Sequence, residues 1–219
     1  MSCNKCDNGW ISVYDDSDKT WRMKRCDCFY REIAYKRLQK SGLSMFAEKY
    51  TFENFKVNNE WQNRVKEKAK TYLDNNDKQW FFIGGQSGSG KTHICTAIAV
   101  NLINKGFCLE YMLWREASMK IKAVANDYSE YAKQVSGLQT AHILYIDDLF
   151  KGGVTEADVR LAFELIDGRY RRNLPTIISS ELLTHEIARI DEAICGRIKE
   201  RAKGYVMNLL KHKDRNYRL

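Results

Sequence analysis

The chain has 219 residues, enough for one α/β core with a small appendage and too few for several large domains. With 44% apolar residues, 29% charged residues and a single proline, Pro175, its composition excludes disordered, collagen-like and low-complexity classes. The charge balance, 36 basic against 28 acidic side chains or +8, favours a polyanionic partner, while no apolar run nears the roughly eighteen residues that cross a bilayer. Met1 to Trp10 also lacks the basic-then-apolar pattern of an export signal, so the expectation is a cytoplasmic chain with no membrane partner. Between Gly196 and Leu219 eight basic residues face only Glu200 and Asp214, which fits either nucleic-acid contact or a solvated helix and tail.

Four cysteines come first. Cys3-x-x-Cys6 and Cys26-x-Cys28 are separated by nineteen residues. Short C-x-x-C and C-x-C turns present paired thiolates that can converge on one ion in tetrahedral zinc geometry. Four protein ligands leave no open position, so the expected Zn²⁺ is structural and its binding folds a segment too small to fold alone. Free or redox-active thiols are the alternative. Between the two pairs, Tyr14 to Lys19 reads as a polar, hairpin-like turn, and Tyr30 to Lys40 follows as a basic, amphipathic stretch. The character of the sequence changes near Tyr50. The expectation is two domains, a zinc-binding module over residues 1–50 and a larger domain over residues 51–219.

After Asp77, apolar runs alternate with helical patterns, as in βαβ units. Strands are expected over Gln79–Gly84, Phe107–Leu113, Ile143–Ile146, Thr176–Ile178 and Tyr205–Leu209. Helices are expected over His93–Lys105, Glu156–Arg172 and Glu186–Lys203, the first ended by Gly106. Strands separated by helices give a parallel five-stranded sheet with helices on its faces, an α/β fold. Cys95, Cys108 and Cys195 fall in these patterns and read as core residues.

The strongest motif follows the first of these strands. Gly85-Gln86-Ser87-Gly88-Ser89-Gly90-Lys91-Thr92 matches G-x-x-x-x-G-K-[ST] without a break, between a strand and a helix. Glycines let the backbone curl so that successive N–H groups face phosphate oxygens, and the helix amino terminus adds partial positive charge. Lys91 is expected to reach the β- and γ-phosphates, and the Thr92 hydroxyl to coordinate Mg²⁺. Ile143-Leu144-Tyr145-Ile146-Asp147-Asp148 then delivers two carboxylates to the sheet's carboxyl edge. Asp147 is the expected Mg²⁺ anchor, and Asp148 the group that polarises the attacking water.

With these motifs the chain resembles the AAA+ ATPases, and more closely the DnaC/DnaI-type replicative helicase loaders, with the IstB-like transposition ATPases as near relatives. The resemblance rests on Thr51-Phe52-Glu53-Asn54-Phe55, the phosphate loop with His93 following, Tyr145-Ile146-Asp147-Asp148-Leu149, Pro175 through Glu181, Gly196-Arg197-Ile198 and Asn216-Tyr217-Arg218. It implies that Phe52 and Phe55 lie near the adenine of ATP or ADP, although aromatics at this spacing also serve as ordinary core. At the end of the fourth strand the family carries an asparagine that senses the γ-phosphate. Glu181 stands there in this chain, so either Ser180 takes over the polar contact, the first expectation, or γ-phosphate sensing is altered. The family also more often has Asp-Glu where this chain has Asp147-Asp148. Arg197 matches the arginine finger inserted into a neighbour's site, with Arg201 one turn later as the rival, and Arg218 matches the second sensor arginine.

What the resemblance implies is an ATPase, Mg²⁺-dependent and self-associating through its ATP site, that loads a hexameric DnaB-type replicative DNA helicase onto single-stranded DNA. It assigns residues 1–50 to the helicase. Trp114, Arg115, Lys120, Lys122, Tyr128 and Tyr131 offer the cations and rings that single strands use, or else pack as core. A transposition helper of the IstB kind and a nucleotide-gated adaptor with little hydrolysis are the alternatives.

Overall fold

The computed structural model describes residues 3–40, 43–74, 79–212 and 215. Near the amino terminus β1 (Trp10–Asp15) and β2 (Thr20–Arg25) pair antiparallel, Trp10 opposite Arg25 and Asp15 opposite Thr20. Side chains close the turn between them. The Asp15 carboxylate accepts from the Ser17 amide and hydroxyl, and Asp18 accepts from those of Thr20, the local bonding that suits Asp and Ser to turns. Two helices follow, α1 (Asp27–Lys40) and the single turn α2 (Ser44–Ala47).

The remaining elements are α3 (Glu60–Asp74), β3 (Phe81–Gly85), α4 (Lys91–Asn104), β4 (Leu109–Leu113), α5 (Trp114–Ala123), α6 (Tyr128–Thr140), β5 (Ile143–Leu149), α7 (Glu156–Arg171), β6 (Thr176–Ser180), α8 (Thr184–Ile190), α9 (Glu192–Arg201) and β7 (Val206–Leu209). Five of the strands form one sheet in the order β4-β5-β6-β3-β7, and every neighbouring pair is parallel. Helices cover both faces, so the strands are apolar on both sides. Phe81, Ile83, Tyr145 and Ile177 pack with α3 and α4, while Phe82, Leu144, Ile146 and Ile178 pack with α5, α7 and α9. Within α4 the 3.6-residue period brings Ile94, Ile98 and Leu102 to one buried face, each contributing about 2 kcal/mol by leaving water. Leu38, Leu43 and Ala47, which precede residue 50, join the same apolar layer.

Arg169 of α7 is fully buried and ties three elements together. Its guanidinium donates to the Thr176 hydroxyl and to the carbonyls of Leu138, Ala141 and Pro175, linking α7 to the start of β6, to the last turn of α6 and to the connection entering β5. Burial depresses its pKa to about 9.

The expected strands are all present, but the single helix expected over Glu186–Lys203 is two. Asp191 breaks it with an extended backbone, φ −157° and ψ 116°, and caps α9 by accepting the Ile194 amide at 2.7 Å. An aspartate satisfies an orphan amide better at a helix start than inside one, and the apolar period runs through the break because α8 and α9 both pack on the same layer.

Candidate functional site

The strand order decides what meets at the sheet's carboxyl edge. β6 lies between β3, which leads into the phosphate loop, and β5, which ends in the two acids. Gly85 closes β3 at φ +143°, and a Cβ there would fall 2.2 Å from the Leu209 carbonyl of β7, so only glycine fits. Gly90 then turns into α4 at φ +81°. Among the described residues no side chain caps the first turn of α4, which leaves its amides available to an anion. The Ser89 hydroxyl and the Lys91 ammonium both donate to the Gln86 carbonyl at 2.8 Å and hold the loop's curl. Lys91 is 4% exposed, and this burial lowers its pKa against the upward pull of Asp148, Glu181 and Asp147. The Gln86 amide exchanges hydrogen bonds in both directions with the main chain of His212 and so ties the loop to the segment after β7. Ser87 lies exposed at the loop's crest and Gly88 beside it at φ +79°.

At β5 the sheet is irregular. Ile146 pairs with Ile178, yet Leu149 pairs with Ser180, so β5 carries one residue more than β6 across this step, and Asp148 takes φ +57°. The bulge turns both acids toward the edge. Asp147 is 3% exposed. Its Oδ1 accepts from the Ser179 hydroxyl at 2.5 Å and from the Thr92 hydroxyl at 3.2 Å, and its Oδ2 accepts from the Tyr111 hydroxyl at 3.2 Å. Burial raises its pKa above the ordinary carboxylate value, with the Ser179 bond acting against the rise. The Ser179 oxygen also accepts the Asp148 amide at 2.9 Å. Asp148 Oδ2 lies 2.7 Å from Lys151 Nζ, which is 3.2 Å from Glu181 Oε1.

The structure therefore brings Lys91, Thr92, Asp147 and Asp148 to one edge, and it adds Ser179, Tyr111, Lys151 and Glu181 to them. Ser180 is not at the mouth. It is fully buried, donating to the Leu149 carbonyl and accepting the Leu182 amide, because alternation along β6 puts it on the opposite side from Ser179. Phe52 and Phe55 are buried in the core, Phe55 edge-on to His93, whose Nε2 is 2.7 Å from the Thr51 carbonyl. They fix the loop of residues 51–55 to the first turn of α4. Arg197 is bonded within its own chain. It donates to Asp167 Oδ1 from Nε and Nη2 at 2.8 and 2.6 Å, and its guanidinium lies 4.9 Å from the Phe163 ring centre. Arg201 is half-buried at the end of α9, and Arg218 lies outside the described residues. Of the residues considered for single strands, Trp114 is buried against Phe150, Lys122 is paired with Asp158 and Tyr131 with Glu164, whereas Arg115, Lys120 and Tyr128 are exposed.

The four amino-terminal thiols form a second centre. The sulfurs of Cys3, Cys6, Cys26 and Cys28 all lie within 4.8 Å of one another. Bonds of about 2.3 Å to a tetrahedral zinc ion require sulfurs about 3.8 Å apart. The 3.9 Å between Cys3 and Cys26 and 3.4 Å between Cys6 and Cys28 bracket that spacing. The Lys5 amide bonds to Cys3 and lowers its pKa to about 7, whereas the Cys6 thiol is raised despite the Gly9 amide, and its bond to Cys28 pushes Cys28 up to about 12. The donor set, four thiolates with amide support, suits a divalent soft cation.

A parallel five-stranded sheet with a phosphate loop after β3 and paired acids ending β5 defines a P-loop nucleotide-binding fold of the AAA+ class. Residues 16–201 match the family described as IstB-like ATP binding protein, and the chain belongs to that family. Among similar proteins is the Uncharacterized protein YqaM of Bacillus subtilis (strain 168), 30% identical over 211 residues that cover 88% of this chain and 66% of YqaM. The Phage-like element PBSX protein XkdC of the same organism is 27% identical over 220 residues, 94% of this chain and 81% of XkdC. The chain thus spans just under two thirds of YqaM. The fold is that of the solved DnaC helicase loader, with a TM-score of 0.60 at 18% identity, covering 76% of this chain and 98% of that one. Among the described residues no helix is long and apolar enough to cross a membrane.

Proposed function

We propose that the protein hydrolyses ATP and uses the cycle to load a DnaB-type replicative helicase onto single-stranded DNA. The observation that carries the ATPase reading is the contact of Thr92 with Asp147 beneath the uncapped start of α4, since one hydroxyl and one carboxylate beside a ring of amides are what a magnesium triphosphate requires. Thr92 and Asp147 would hold Mg²⁺, which supplies charge neutralisation between the phosphates. Lys91 leaves the Gln86 carbonyl for phosphate oxygens. Asp148 orients a water on the γ-phosphorus. The water oxygen bonds to phosphorus, the bond to the β-bridging oxygen breaks, and the water's proton passes through Asp148, giving ADP and phosphate.

Arg197, or Arg201 beside it, reaches a neighbouring subunit's site, so turnover depends on assembly. Residues 1–50, with Zn²⁺ on Cys3, Cys6, Cys26 and Cys28, form the helicase-contacting module, and residues 51–219 the ATPase domain. The fold shared with the DnaC helicase loader supports the helicase as partner. Exposed Arg115, Lys120 and Tyr128 support contact with single strands. The family match to IstB-like proteins favours one second reading, a transposition helper acting with a transposase.

Gel filtration of the chain with replicative helicase, single-stranded DNA and either ATP or ADP tests the loader reading. It expects a joint complex with ATP, and none when Lys91→Ala removes nucleotide binding. Co-elution with a transposase and not with helicase selects the second reading.

A further inference from the structure

Glu181 poses an electrostatic problem. It follows β6, between the acids of β5 and the phosphate loop, and an isolated carboxylate there repels a triphosphate. The groups that bear on one another at this mouth are Asp147, Asp148 and Glu181 against Lys91 and Lys151, all within electrostatic range of Lys91. Lys151 is what keeps the excess of negative charge to one. Its ammonium lies 2.7 Å from Asp148 Oδ2 and 3.2 Å from Glu181 Oε1, with a side chain 39% exposed.

Its position is built. Phe150, 4% exposed and edge-on to Trp114, anchors the turn at the end of β5, and the Lys151 amide donates to the Asp148 carbonyl at 2.9 Å. After it, Gly152 and Gly153 take φ +94° and +103° and let the chain leave the edge. A long, partly solvated side chain on a fixed backbone can change partners without moving the sheet.

We propose that Lys151 is the group that reads the third phosphate. In the nucleotide-free protein Lys151 spans Asp148 and Glu181. A γ-phosphate draws the ammonium off Asp148 while Glu181 keeps hold of it, which frees the Asp148 carboxylate for water. A diphosphate leaves Lys151 on Asp148. Glu181 thereby acts as a positioning residue, and its negative charge, unfavourable alone, becomes the tether of the sensing cation. This inference rests on the reading of the edge as an ATP site.

Calorimetric binding of ADP and of the non-hydrolysable AMPPCP, both with Mg²⁺, to the full chain and to Lys151→Ala, Lys151→Arg and Glu181→Gln tests it. Loss of one charge-assisted contact to phosphate should weaken AMPPCP about tenfold in Lys151→Ala and leave ADP within about twofold. Lys151→Arg should restore most of the preference. Glu181→Gln should reduce it, with ADP again little changed. Equal weakening of both nucleotides in Lys151→Ala, or none, overturns the proposal while leaving the ATP site standing. Failure of the unaltered chain to bind either nucleotide overturns the underlying reading and the proposal with it.

Discussion

Ser179→Ala removes a single oxygen from the site, and the structure states what that oxygen holds. It donates to Asp147 Oδ1 at 2.5 Å and accepts the Asp148 amide at 2.9 Å, and it is fully buried, so water does not replace it. A hydrogen bond to a carboxylate contributes about 1.5–3 kcal/mol, and a buried amide left without its acceptor costs about 1–3 kcal/mol. Together they predict a loss near 4 kcal/mol in the nucleotide-free protein. At roughly 2–4 °C per kcal/mol for a chain of this size, the melting temperature should fall by about 10 °C. Binding should respond as well. Asp147 loses its shortest donor, so the Mg²⁺ dependence of nucleotide affinity should shift to higher metal concentration. Thermal unfolding and a magnesium titration on the same preparation measure both. A melting point within 2 °C or so of the unaltered protein would refute the claim that Ser179 is what holds the bulge and the carboxylate together.

Three further outcomes are expected. Burial holds Asp147 above the ordinary carboxylate pKa of about 3.9, so its contribution to stability is fully present below that value and is lost as pH rises through the raised one. Unliganded Asp147→Asn should accordingly gain on the native chain as pH climbs through that window, and parallel stability curves would contradict the sign. Arg169→Leu strands the carbonyls of Leu138, Ala141 and Pro175 and should cost about 3–5 kcal/mol in denaturant unfolding; a cost under 1 kcal/mol or so would show that water or neighbouring amides take over. Mass spectrometry of the native chain should find one zinc ion, lost along with order in residues 3–28 when Cys28→Ser removes a ligand, whereas four reactive thiols and no metal would dismiss the centre.

Much of this architecture is legible in the sequence because its causes are local. Buried apolar runs set the strands, the period of α4 sets its face, and the glycines of residues 85–90 announce the loop before any contact is known. Asp147 and Asp148 follow from an apolar strand that stops. What escapes the sequence depends on pairing. Ser179 and Ser180 are adjacent and chemically alike, and only the pleat of β6 and the extra residue in β5 decide which hydroxyl meets the carboxylate. Trp114 looks like a stacking ring until Phe150 is seen to bury it. Lys151 sits in an unremarkable turn whose meaning comes from Glu181, thirty residues on. The break at Asp191 was within reach, since an aspartate three residues before Ile194 is a helix-start signal that the continuous apolar period obscures.

The pairing of Arg197 with Asp167 bears on the proposed reach of this arginine into a neighbouring subunit's site. An arginine on a bare surface must surrender rotamer freedom when it docks, at about 0.5–1.5 kcal/mol for a long side chain. Here α7 has already restrained it, with a carboxylate along one edge of the guanidinium and the Phe163 and Tyr170 rings around it. That loss of freedom is incurred when the chain folds, yet Nη1 also donates to the Ala193 carbonyl at 3.1 Å, so under the proposed role in trans a neighbour's phosphate would compete with Asp167 for a side chain already held in one rotamer.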